Sequence, residues 1–110
     1  MSFRIQTLSV FDKQIKRLAK KYPSIKADLV QLGAELAIDP TMGKSLGGHF
    51  YKVRLKITSK RTGKAGGARV ITYVKIINET VTLAYVYDKA EQATISDKVL
   101  DDLLSLLGEE

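Results

Sequence analysis

Lys52, Arg54 and Lys56 alternate with Tyr51, Val53, Leu55 and Ile57, and a second run sets Ala68, Val70, Thr72, Val74 and Ile76 against Arg69, Ile71, Tyr73, Lys75 and Ile77. Strand side chains repeat with period two, so each run sends its cations to one side and its apolar residues to the other. Between the runs lies Ser59-Lys-Arg-Thr-Gly-Lys-Ala-Gly-Gly-Ala68, which reads as a loop joining two strands. From Lys44 to Lys75 the chain carries nine basic residues, Lys44, Lys52, Arg54, Lys56, Lys60, Arg61, Lys64, Arg69 and Lys75, and no Asp or Glu. The pattern predicts a cationic sheet face with a cationic lip, and a polyanion is the partner such a face suits.

Cations alone can do phosphate chemistry. RNA cleaves itself when its 2′-hydroxyl attacks the adjacent phosphate, and an enzyme helps by aligning that attack and stabilising the extra charge on the phosphorane. Crowding Lys52, Arg54, Lys56 and Arg69 together lowers the pKa of the lysines by repulsion, which suits one of them to general acid or base work. A plain binding face that holds phosphates without acting on them uses the same residue types, and those types leave both readings open. Other chemistries find less support. With no cysteine and one histidine, a metal site of the usual kind lacks ligands, so none is expected, and neither is a small-molecule cofactor. His49 lies in a loop without a nucleophile motif and reads as a surface or packing residue. Gly43-Lys44-Ser45 resembles the end of a phosphate-binding P-loop, but Ile38 stands where the first glycine belongs and a helix precedes it; Gly63-Lys64 is followed by Ala65.

The chain's net charge of +6 is unevenly spread. Residues 1–43 hold seven basic and four acidic side chains, 44–78 hold nine and none, and 79–110 hold two and eight. At 110 residues the expectation is one domain over residues 1–110, because domains run to roughly 100–150 residues. No apolar run reaches the roughly 18 residues of a membrane span, and the first residues lack a signal-peptide pattern, so a cytoplasmic protein without a membrane partner is expected.

The elements that must position the cations follow from periodicity. Phe3 and Ile5 alternate with Arg4 and Gln6, predicting an edge strand over residues 2–8. Ser9 is expected to cap a helix whose stripe is Val10, Phe11, Ile15, Leu18, Ala19 and Tyr22. Pro23 ends it, and Ile25, Leu29, Leu32 and Leu36 predict a second helix that folds back as a hairpin, with Gly33 as a close-approach point and Asp39-Pro40 as the stop. Residues 41–49 read as loop. The two cationic strands and a third over Thr80–Tyr87 form an antiparallel meander, and a last amphipathic helix begins at Ser96, with Asp97, Asp101 and Asp102 outside. The fold class is α+β: a small antiparallel sheet packed on an N-terminal helical hairpin, with a C-terminal helix.

This order, with Lys60-Arg-Thr-Gly-Lys-Ala-Gly-Gly-Ala-Arg-Val-Ile-Thr-Tyr73 and Tyr85-Val-Tyr-Asp-Lys89, resembles the RelE/ParE toxin superfamily of type II toxin–antitoxin systems, in its RelE/HigB-like branch. The resemblance implies a ribosome-dependent mRNA endonuclease that acts on mRNA in the ribosomal A site and is neutralised by a cognate antitoxin. It implies that Lys52 and Arg54 contact the scissile phosphate and take part in acid–base work, and that Arg69 stabilises the transition state. Relatives carry an arginine after the last strand and an aromatic or histidine in the C-terminal segment; here Lys89, then Ala90, and Ile95 stand there. Lys89 is the substitute cation, and the aromatic's role falls to Tyr73, Tyr87 or no residue. Lys56, Lys60, Arg61, Lys64, Tyr73 and Lys75 are the expected RNA contacts. The antitoxin is expected to cover the basic sheet or its flanks with an acidic or amphipathic segment. A gyrase poison of the ParE kind and an inactive nucleic-acid-binding relative are the alternative readings.

Overall fold

A computed structural model describes residues 2–60 and 66–108. Its elements, in order, are β1 (Arg4–Thr7), α1 (Ser9–Lys21), α2 (Ile25–Ile38), β2 (Lys44–Gly47), β3 (Phe50–Leu55), a 3-10 turn (Thr58–Lys60), β4 (Ala68–Lys75), β5 (Thr80–Asp88) and α3 (Asp97–Leu106). The strands form one mixed sheet in the order β1-β5-β4-β3-β2. The meander β3-β4-β5 is antiparallel as its short connections require, while β1, at the edge of the sheet, pairs with β5 in parallel.

The helical hairpin covers one face. Phe11, Ile15, Leu18, Ile25, Leu32 and Leu36 from α1 and α2 meet Val53, Leu55, Val70, Val74, Val81 and Val86 from the sheet, with Ile57 just beyond β3, in a single apolar core. On the opposite face α3 packs Leu103, with Val99, Leu100, Leu104 and Leu107 around it, against Phe50, Ile71, Tyr73, Ala84 and Tyr87. β4 is central and covered on both sides, which is why seven of its eight residues are buried. Where β1 stops, the open edge of β5 is completed by Gln14, whose side-chain oxygen accepts the Val86 N–H at 2.8 Å.

Several local expectations are corrected. Ser9 is the first helical residue of α1 and Leu8 the cap, with no side-chain cap bond, whereas Ser96 does cap α3 by accepting the Val99 N–H. Gly33 is no contact point: a Cβ there would meet nothing within 4 Å. The loop expected over 41–49 contains β2, which pairs antiparallel with β3. β4 ends at Lys75, leaving Ile76 and Ile77 exposed in the turn to β5.

Two carboxylates fasten the ends of these elements. Asp28, in the first turn of α2, accepts from the Thr58 N–H at 2.9 Å, the Thr58 hydroxyl at 2.6 Å and the Ser24 hydroxyl at 2.8 Å. Asp88, fully buried at the end of β5, accepts from Lys60 Nζ and Tyr22 Oη, each at 2.6 Å, and from the Ala90 N–H at 2.9 Å. Burial pushes both carboxyls up, but these donors outweigh it, and both titrate below the usual carboxylate value. A depressed folded-state pKa contributes stability above the unfolded value of about 4 and loses it as pH falls through the folded one. Thermal melts are therefore expected to be flat from about pH 7 to 5 and to decline below about pH 4. Asp88→Asn lowers neutral-pH stability by about 3 kcal/mol, because it leaves the Lys60 ammonium without its buried partner, and it makes the acid decline shallower. An unchanged acid decline in that variant would show that Asp88 is not one of the groups responsible.

Candidate functional site

β3 and β4 pair with Arg54 directly opposite Arg69, and β2 and β3 pair with Lys44 directly opposite Lys52. Like charges across a strand pair repel at close range, so the sheet carries two unfavourable pairs side by side. With Lys89, which follows β5, and Gly43, these four cations line one open cleft of about 530 Å³ on the sheet face away from the hairpin. Among the described residues, no carboxylate lines it.

Each side chain is set by its element. The period of β3 directs Lys52 and Arg54 away from the apolar core formed by Val53, Leu55 and their neighbours. Arg69 is buried, and its Nη1 donates to the Ala68 carbonyl at 3.2 Å. Lys89 Nζ donates to the Ala93 carbonyl at 3.2 Å, and its backbone N–H to the Gly67 carbonyl at 3.1 Å. Gly67 is required at the entry to β4, since a Cβ there would stand 2.2 Å from the Leu55 carbonyl oxygen. Gly43, at φ +97°, turns the chain into β2 so closely over β3 that a Cβ would stand 2.5 Å from the Lys52 carbonyl oxygen.

The electrostatics follow. Partial burial lowers the pKa of Lys52, and the charges of Lys44, Lys89, Arg69 and Arg54 lower it further. A lysine so placed gives up its proton more readily than an ordinary surface lysine. Tyr87 lies across the β4–β5 pair from Arg69, its ring buried and its hydroxyl with no hydrogen-bond partner among the described residues. Burial raises its pKa against the opposing pull of Arg69.

All four expected catalytic residues, Lys52, Arg54, Arg69 and Lys89, thus come together. The expected RNA contacts do not. Lys56 extends past the end of β3 into a smaller cleft shared with Asp28, Gln31 and Glu35 of α2. Lys60 is held in its ion pair with Asp88, its side chain only 13% exposed. Tyr73 is largely buried beneath α3, packed edge-on to Phe50 at 5.1 Å and to His49 at 6.2 Å, and lines a separate cleft with Lys75. Lys75 lies at the far end of the same face, in a cleft with Arg4, Gln6, Asn78, Thr80 and Thr82. Arg61 and Lys64 lie outside the described residues. Sequence reasoning missed Lys44 as a member of the cleft. The signal was its place in the acid-free stretch, masked by the glycines that hid β2.

The model of the family described as "RelE toxin of RelE / RelB toxin-antitoxin system" matches residues 9–107, and the chain belongs to that toxin family. Among solved structures, a double arginine-to-alanine mutant of the E. coli toxin RelE in the free state is similar in fold, with a TM-score of 0.61 at 16% sequence identity over 96% of this chain and 97% of that one. Comparison with curated proteins finds no match. Family membership implies a cognate antitoxin as partner. No helix among the described residues is long and apolar enough to cross a membrane.

Replacing Lys44 by Met removes one of the charges facing Lys52 while keeping a long side chain. The Lys52 ammonium is expected to titrate higher in Lys44→Met than in the parent, though still below an ordinary lysine because burial and the remaining cations persist. Observing the Lys52 side chain by NMR across alkaline pH checks this, and an unmoved titration would mean that Lys44 does not act on it.

Proposed function

We propose that this chain is a ribosome-dependent mRNA endonuclease, a single-domain toxin that arrests translation until its antitoxin covers the cationic cleft. The observation that carries the reading is the double like-charge pairing, Arg54 against Arg69 and Lys44 against Lys52, which gathers four cations in one cleft. A sheet designed only for stability would not keep two such pairs adjacent; a bound phosphate turns the repulsion into attraction.

The proposed chemistry uses the residues as they stand. Lys52, deprotonated more easily than a free lysine, accepts the proton of the 2′-hydroxyl as that oxygen attacks the neighbouring phosphorus. Arg54 and Arg69 hold the non-bridging oxygens and stabilise the charge that grows on the phosphorane. Lys89 faces the leaving 5′-oxygen and supplies a proton or a compensating charge as the P–O bond breaks. The products are a 2′,3′-cyclic phosphate and a free 5′-hydroxyl. Tyr87 stands across the sheet from Arg69, but like Tyr73 it is buried and does not line the cleft, so the proposed chemistry uses no aromatic residue. The ribosome supplies what the cleft lacks, a held and bent mRNA strand, and membership of the toxin family supports that substrate.

The test is brief induction in bacteria followed by primer extension along a translated mRNA, with Arg69→Ala and a translation block in parallel. Cuts within codons that need ongoing translation are expected, and Arg69→Ala is expected to reduce them by about 100-fold, the usual cost of one transition-state donor. Arrested growth with intact mRNA and early DNA damage would overturn the reading in favour of a gyrase poison. Normal growth with intact mRNA would leave a nucleic-acid-binding protein.

A further inference from the structure

The residue before Lys89 is the best-buried ionisable group in the described chain, and nothing in the proposed chemistry uses it. Asp88 gathers donors from three parts of the fold: Tyr22 at the end of α1, Lys60 in the 3-10 turn after β3, and Ala90 in the turn beyond β5. Lys21 approaches the same carboxylate at 3.9 Å. The Asp88 carbonyl in turn accepts the N–H groups of Glu91 and Gln92, both at 3.0 Å. The turn that carries Lys89 is therefore wound on this one residue at both its side chain and its main chain.

Lys89 is fixed from the other side as well. Its N–H bonds the carbonyl of Gly67, two residues before Arg69 and at a position that admits no side chain. Asp88 thereby ties together the two flanks of the glycine-rich connection, Lys60 on one side and, through Lys89, Gly67 on the other. Burying a carboxylate with an ammonium is a poor route to stability, since apolar residues of like volume serve as well. What the charged junction adds is a fixed geometry, because a carboxylate accepting three strong hydrogen bonds has few alternative positions.

We infer that Asp88 is a positioning residue: with Tyr22 and Lys60 as its clamps, it holds the Lys89 turn against β4 so that the Lys89 ammonium completes the cationic cleft. The inference rests on the reading of the cleft as a phosphate-cleaving site. It also explains why Lys60, drawn from the most basic stretch of the chain, is turned inward.

The experiment is a double-mutant cycle with Asp88→Asn, Lys89→Ala, the pair together and the parent, plus Tyr22→Phe as a milder lesion that strands no buried charge. Three quantities are measured for each: single-turnover cleavage of mRNA on translating ribosomes, affinity for a short single-stranded oligoribonucleotide at fixed salt, and melting temperature. A residue that acts through Lys89 loses its effect when Lys89 is absent. Asp88→Asn is expected to slow cleavage about tenfold beside Lys89 and less than about twofold in the Lys89→Ala background, with the same fall in melting temperature in both. Tyr22→Phe is expected to show the same pattern at about threefold, and it decides the question, in its own cycle with Lys89→Ala, if Asp88→Asn does not fold. Equal slowing in both backgrounds would overturn the inference and leave Asp88 as a support of the fold alone. Should the parent cut no mRNA, the cleavage reading fails by itself. Oligoribonucleotide affinity then still reports on Asp88, with non-additive losses sustaining its positioning of Lys89 and additive losses removing it.

Discussion

The register between β3 and β4 is the constraint on which the rest depends. It sets Val53 opposite Val70 on the hairpin side and, one step along, Arg54 opposite Arg69 on the other. Because strand side chains alternate, a slip of β3 by one residue would drive Lys52 and Arg54 into the core and expose Val53 and Leu55. Burying the apolar set under α1 and α2 therefore fixes the cationic set as well. The cross-strand repulsion is tolerated because each buried Val or Leu contributes about 1.5–3 kcal/mol, more than a like-charge pair takes away.

That coupling made much of the molecule readable from its sequence. Period two in Lys52–Ile57 and period 3.6 in both helices of the hairpin are direct consequences of one-sided burial, which turns Lys52, Arg54 and Arg69 to the cleft. Asp88 and Lys89 were visible as residues, yet their relation was not, since Tyr22 and Lys60 reach Asp88 across gaps of 66 and 28 positions. β2 was illegible for a different reason. Four residues between Gly43 and Gly48 show no period of their own and become a strand only because β3 offers an edge. Alternation does not reveal one inward face of β5, because a bulge opposite Ile71 and Thr72 shifts it midway. Tyr73 shows the limit of alternation most plainly: it points to the cationic face as its position requires, but α3 lies over that half of the face.

α3 thus decides how much of the sheet is available to a ligand. By burying Phe50, Ile71 and Tyr73 it separates the cleft around Lys52 and Arg69 from the smaller polar cleft around Lys75. The outer surface of the helix is acidic, and Asp97 and Asp101 line a shallow hollow with Gly47, Gly48 and Phe50. An anionic ligand is consequently repelled at the Gly47 end of β2 and attracted toward Lys52, Arg69 and Lys89.

The cations of the basic stretch fall into two kinds, and the division is made by the carboxylates. Lys60 is neutralised by Asp88, and Lys56 stands over Asp28 and Glu35 of α2. Lys44, Lys52, Arg54 and Arg69 are grouped in a cleft with no acidic side chain among its described lining residues, Lys89 is directed there by the turn after Asp88, and Arg54 also borders the cleft of Asp28 and Glu35. The potential is therefore concentrated where burial also weakens screening, and not spread along the whole stretch that composition marks as basic. An anion bound in that cleft relieves repulsion that the folded chain otherwise carries, so folding and phosphate binding favour one another by linkage.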